Sequence, residues 1–249
     1  MTFSIVLLTT AKRTQWLEES IDAIDRNYFD QKILSVDEFD GYIFPEHLKE
    51  KYIKEGWKVI VDNHKSKLSS LINAVSLVTS DYVFYQEDDI VANLPDKNYI
   101  EDLLDLKVLD RYCGIISLNL GGAITELKDR IYGDLIECEE RKILQGEYYY
   151  SFIRCESRRN AWFFEFPSFF IQTDHFLQSL IYVRAQNWTA NHEIEQNLTK
   201  SWFNNGMYLK YYKCCITKNN LKTVLIESPT KMMDLCGMIK ILDPHQGGI

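Results

Sequence analysis

The chain has 249 residues, 46% of them hydrophobic and 13% aromatic, with a formal net charge of −8 and a pI near 5.2. These values describe a folded protein with room for a substantial core, and they exclude a non-specific nucleic-acid binder, whose polyphosphate partner needs a basic surface. No apolar stretch reaches membrane-span length, and the six scattered cysteines, without a C-x-x-C, are expected as reduced thiols of a cytoplasmic protein.

The opening "MTFSIVLLTTAKR" has no basic residues ahead of its short apolar run and is not expected to be a signal peptide. Within it, "FSIVLLTT" reads as a strand buried on both faces. Leu17, Ile21 and Ile24 then recur at helical spacing. "KILSVDEFD" is a second strand with an acidic end, and "GWKVIVDN", introduced by Gly56, is a third. Leu68, Leu71, Ile72, Val75 and Val78 share one helical face, and "DYVFYQ" is a fourth strand. Strands alternating with helices predict a mostly parallel sheet covered by helices.

Beyond residue 110 the pattern loosens. "CGIISLNLGG" reads as a strand, and the stretch from "RIYGD" to "WFFEF" as hairpins. "SFFIQTDHFLQSL" reads as strand then helix. "HEIEQNLTKSWFNNG" is a helix with Ile194, Leu198 and Trp202 on one face and Gly206 as its stop, followed by the strand "MYLKYYKCCITK". The sequons at Asn187 and Asn197 carry no weight in a cytoplasmic chain. The aromatics of "AWFFEFPSFF" are expected in the core, with Trp162 as a possible stacking surface for a sugar ring.

The predicted strands end in Thr9-Thr10, Asp37, Asp62-Asn63 and Glu87-Asp88-Asp89. Ligands of open α/β sheets bind outside the carboxyl ends of the strands. Several carboxylates on one rim repel one another unless a cation joins them. Hard divalent ions such as Mg²⁺ or Mn²⁺ suit such oxygen ligands. The spacing does not decide which of Glu87, Asp88 and Asp89 would bind the ion, and a solvated acidic turn is the plainer alternative.

The ordered occurrence of "FSIVLLTTAKR", "VDEF" and "NHKSKLSSLINAVSLVTSDYVFYQEDD" resembles the GT-A nucleotide-sugar glycosyltransferases, especially the family-2-like group, over roughly the first ninety residues. The resemblance implies one GT-A-like α/β domain over 1–249, with a nucleotide-sugar-binding half (1–110) and an acceptor-binding half (111–249). It places Thr9, Thr10 and Arg13 beside the nucleotide, with Arg13 on a phosphate. Asp37 would meet the base or ribose, and Lys65 and Lys67 would approach the diphosphate. Asp88 and Asp89, with Glu87 before them, take the D-x-D position. His245 in "DPHQGG" would be a further ligand for Mn²⁺. The base would be Glu193 or Glu195, where this sequence has E-I-E in place of adjacent acids. A helix-capping role is the alternative for both.

The activity so implied is metal-dependent transfer of a sugar, with inversion, from a nucleotide-diphosphate sugar to a hydroxyl on a glycan or glycoconjugate. The alternatives are a nucleotidyltransferase, against which the glycine-free "TTAKRTQW" loop counts, and a nucleotide- or glycan-binding module without turnover.

Overall fold

The computed structural model describes residues 1–25, 27–38, 41–63, 66–105, 107–108, 111–118, 136–142, 148–155, 168–187, 194–207, 211–218 and 239–241. The predicted first strand is β1 (Phe3–Thr10). Phe3, Ile5 and Leu7 are buried with one apolar cluster and Val6 and Leu8 with another, because the strand is covered on both faces. A 3₁₀ turn (Ala11–Arg13) leads into α1 (Thr14–Asp22), followed by β2 (Gln31–Asp37), α2 (Glu46–Lys54) and β3 (Lys58–Asp62). Next come α3 (Lys67–Val75), β4 (Tyr82–Glu87), the short β5 (Ile90–Ala92) and α4 (Lys97–Asp105). The later described elements are β6 (Lys107–Val108), β7 (Arg111–Ser117), β8 (Ile136–Lys142), β9 (Tyr148–Cys155) and β10 (Ser168–Gln172). Helices α5 (Thr173–Ala185) and α6 (Ile194–Asn204) and strands β11 (Tyr211–Lys218) and β12 (Ile239–Ile241) complete the set.

The main sheet has the order β3-β2-β1-β4-β10-β7-β11-β9-β8, with β6 on β7. Strands β1 to β4 are mutually parallel; β10 enters antiparallel between β4 and β7, and β11 runs parallel to β7. The region predicted as hairpins contains the antiparallel pair β8 and β9. The fold is therefore an α/β sheet with a parallel half and a mixed half, flanked by helices. Helices α1, α2 and α4 cover one face through Leu17, Ile21, Tyr52, Ile100 and Leu103. Helices α3, α5 and α6 cover the other through Leu71, Val75, Phe176, Leu180, Leu198 and Trp202.

Two helices, α2 and α4, depart from the sequence reading, which passed over both segments. The α2 segment offers one fully buried side chain, Tyr52, and a mostly charged remainder. In α4 the buried residues Tyr99, Ile100, Leu103 and Leu104 do carry helical spacing. Gly56 begins the third strand segment as expected, with a φ of +84°. A Cβ there would meet only the tip of Lys32, at 3.7 Å, so the barrier to substitution is conformational. We expect Gly56→Ala to lose about 1–2 kcal/mol of stability, read as a lower denaturation midpoint with an unchanged slope. Gly206, the predicted stop of α6, has a φ of +68°.

Candidate functional site at the switch between β1 and β4

From β1 the chain builds outward through β2 to β3, then returns to set β4 against the other flank of β1. Such a reversal opens a crevice at the carboxyl ends of the two central strands. The register aligns Thr10 with Asp37 and Asp37 with Asp62, while Leu8 lies opposite Glu87. The polar strand ends thus share one rim, as the sequence predicted.

Beyond Glu87 the chain turns sharply through Asp88 and Asp89 into β5. Buried side chains fix that turn: Gln86 Nε2 donates to the Ile90 carbonyl at 2.7 Å, and Ser20 Oγ donates to the same oxygen at 2.8 Å. Strand β5 is paired antiparallel with β12, Ile90 opposite Ile241. Asp88 and Asp89 are only 2% and 1% exposed. Thr9 Oγ1 donates to Asp88 Oδ2 at 2.6 Å. The Arg13 guanidinium, carried by the 3₁₀ turn after β1, donates to Asp89 Oδ2 at 2.6 Å and lies 3.5 Å from Asp88 Oδ1. It also sits 5.3 Å from the centre of the Trp16 ring. Asp89 Oδ1 is buried and has no hydrogen-bond partner among the described residues.

Glu87 accepts hydrogen bonds from Lys67 Nζ, at the start of α3, and from Tyr85 OH at 3.2 Å. Ser66 caps α3, its hydroxyl accepting from Ser69 N. Asp62 accepts from Asn73 Nδ2 at 2.5 Å. Among the described residues, the three acids at the turn thus face two cations, Arg13 and Lys67.

Burial raises the Asp88 carboxyl to about 7, outweighing Arg13 and Thr9, which favour the charged form; Asp89 and Glu87 push it further up. Burial, then the Glu87 charge, raises Asp89 as well, against the pull of Arg13. Burial works against the Arg13 charge, but Asp88 and Asp89 more than offset it and hold that group above its ordinary value.

The sign of the linked stability change follows. The folded state keeps a proton on Asp88 that the unfolded chain has lost from about pH 4 upward, so stability falls as pH rises from there through about 7. We expect the thermal midpoint of the metal-free protein to fall across that window. Asp88→Asn, which keeps an acceptor for Thr9, should flatten the fall. An equal slope in both proteins would remove Asp88 as its source.

The structure brings together Thr9, Arg13, Glu87, Asp88 and Asp89, with Thr10 and Asp37 alongside on the rim. Lys65, Glu193, His245 and Trp162 lie outside the described residues. Glu195 falls in the first turn of α6, and its side chain is likewise not described. Strand β12 ends beside Ile90, four residues before His245 in sequence. The sequence reading missed the Lys67–Glu87 pair, the Tyr85 hydroxyl and the Trp16 ring below Arg13. Trp16, three residues after Arg13 as α1 begins, carried the only readable signal.

Among the described residues, no three His, Cys, Asp or Glu side chains converge as a ready-made metal site. The oxygen donors of Asp88 and Asp89 nevertheless fit a hard divalent ion, and Asp89 Oδ1, buried and without a hydrogen-bond partner among the described residues, adds a further acceptor there. Asp89, with Asp88 or Glu87, would hold the ion.

No protein-family model and no curated protein matches the chain. Solved structures do. One is mannosyltransferase PcManGT from Pyrobaculum calidifontis in complex with GDP-Man and Mn²⁺, at 18% identity and TM-score 0.36, over 46% of this chain and 34% of that one. Another is S. aureus TarS in complex with UDP-GlcNAc, at 14% identity and TM-score 0.45, over 94% and 64%. A third is CMP:2-keto-3-deoxy-manno-octonic acid synthetase complexed with CTP, at 12% identity and TM-score 0.44, over 86% and 89%. The chain spans less than two thirds of the length of the first two. No helix among the described residues is long and apolar enough to cross a membrane.

Proposed function

We propose that the chain is a glycosyltransferase that moves a sugar from a nucleotide-diphosphate donor to a hydroxyl acceptor on a glycan or glycoconjugate, with a divalent cation at the acidic turn. The observation that carries the reading is the buried Asp88–Asp89 pair, with one unpartnered oxygen, held rigidly at the strand switch where an α/β sheet takes its ligand. Adjacent buried carboxylates are costly to a fold unless charge and hydrogen bonds compensate them, and Arg13 and Thr9 leave Asp89 Oδ1 uncompensated. The family resemblance of "DYVFYQEDD" supports the same assignment.

On this reading the first half, 1–110, binds the donor. Arg13 and Lys67, already poised over the acids, meet the phosphates, and Thr9 holds Asp88 in place. Asp37, level with Thr10, faces the nucleoside. A bound Mn²⁺ or Mg²⁺ would supply positive charge to the departing diphosphate. The second half, 111–249, carries the acceptor side, where Glu193 or Glu195 takes the hydroxyl proton and the sugar inverts. His245, four residues after β12 in sequence, would be a further ligand for the ion.

The test is calorimetric titration with a panel of nucleoside diphosphates, with Mn²⁺ and with EDTA, followed by a transfer assay with the nucleotide-sugar of the nucleotide that binds. Metal-dependent binding of one nucleotide supports the reading. Absence of nucleotide binding under every condition sinks it.

A further inference from the structure

We propose that Arg13 is a resident counter-ion for the Asp88–Asp89 pair that a divalent cation displaces and a nucleoside diphosphate draws away, so that cation and nucleotide bind cooperatively. This rests on the donor-site reading above and concerns the order and coupling of its ligands.

The geometry places one cation where another would go. The guanidinium reaches Asp89 Oδ2 at 2.6 Å and Asp88 Oδ1 at 3.5 Å, the same two carboxylates that suit a divalent ion. An ion brought to this pair meets a positive charge already on its ligands. That charge sits on the same chain, so it competes at a high effective concentration and needs no ordering from solution. A lone cation therefore binds weakly.

Arg13 is also equipped to leave. Its side chain is 26% exposed, against 3% and 1% for the two acids, and it is borne by a short 3₁₀ turn with Ala11 as the buried anchor. Its long side chain can swing the guanidinium without moving β1. The Trp16 ring, 5.3 Å away, offers a face along which the planar group can slide. A diphosphate provides the reason to move: guanidinium binds phosphate oxygens in a fork at least as well as it binds carboxylate. Once Arg13 turns to the phosphates, the carboxylates, including the unpartnered Asp89 Oδ1, are open to the ion. Linkage makes the effect mutual, each ligand tightening the other by the same factor.

The experiment follows free Mn²⁺ by electron paramagnetic resonance in titrations of wild type, Arg13→Gln and Arg13→Lys, alone and with UDP or GDP. Circular dichroism confirms that each variant is folded. The expected result has three parts. Wild type binds Mn²⁺ weakly alone and much more tightly with the matching nucleotide. Arg13→Gln binds Mn²⁺ alone about tenfold more tightly than wild type and loses most of the nucleotide-dependent gain. Arg13→Lys, which keeps the charge, stays close to wild type in the absence of nucleotide. If Arg13→Gln binds lone Mn²⁺ no better than wild type while nucleotide-dependent binding persists, the counter-ion role is overturned and the donor-site reading stands. If no protein binds Mn²⁺ with either nucleotide, both fall together.

Discussion

Asp89→Ala should abolish the metal-dependent nucleotide binding proposed for the acidic turn and slow the proposed sugar transfer by about a hundredfold to a thousandfold, while leaving the fold at least as stable as wild type. Both halves of this expectation come from the same environment. Asp89 is 1% exposed, its carboxyl is driven up by burial and by Glu87, and one of its oxygens has no partner. Such a group opposes folding, so its removal relieves the folded state of a poorly solvated charge. The partner left behind, Arg13, is a quarter exposed and can turn to water. A functional residue that opposes stability is expected where a site is built for a charged ligand. Calorimetry with the matching nucleotide, with Mn²⁺ and with EDTA, reads the first half, and the thermal midpoint reads the second. Unchanged binding would refute the site assignment. Full unfolding of the variant would show that the Arg13–Asp89 pair is structural instead.

Phe84→Ala should act in the opposite sense, destabilising the protein by about 3–5 kcal/mol and lowering its melting temperature by roughly 10 °C. Phe84 is fully buried at the centre of β4, with Phe170 of β10 at 4.5 Å between ring centres and Phe29 stacked at 5.7 Å. Phe170 in turn meets Phe3 and Tyr28, so one ring joins the parallel half of the sheet to the antiparallel strand beside it. The cavity left by truncation closes poorly, because Phe170 and Phe3 sit on paired strands whose positions are fixed by their hydrogen bonds. A melting temperature within 2–3 °C of wild type, about the effect of 1 kcal/mol, would mean that these rings repack.

The parallel half was readable because its central strands, β1 and β4, are covered on both faces, which turns burial into continuous apolar runs such as "SIVLL" and "YVFY". The acidic rim was readable for a related reason: each run ends abruptly in polar residues, and topology alone brings those ends level. What the sequence did not reveal lies in the side-chain partners. Nothing in the spacing shows that Arg13 spans both acids, since the contact joins positions 76 apart in sequence through strand pairing. The Lys67–Glu87 pair is hidden in the same way, and α2 was missed because Tyr52 is its one fully buried side chain. The insertion of β10 against the direction of its neighbours likewise has no local signature, because an apolar stretch such as "SFFIQ" suits either orientation.

The pairing of β5 with β12 bears on how the molecule is made. Ile90 follows the acids directly, yet its partner Ile241 is synthesised some 150 positions later. During translation the acidic turn therefore emerges long before the strand that straps it, and closing so wide a loop is slow and entropically demanding. The corner proposed to bind donor is completed only once residue 241 has left the ribosome. A nascent chain or truncated fragment ending before residue 239 would carry all three acids and both of their cationic partners, but lack this strap. Assembly order thus couples competence at the site to synthesis of the second half of the chain.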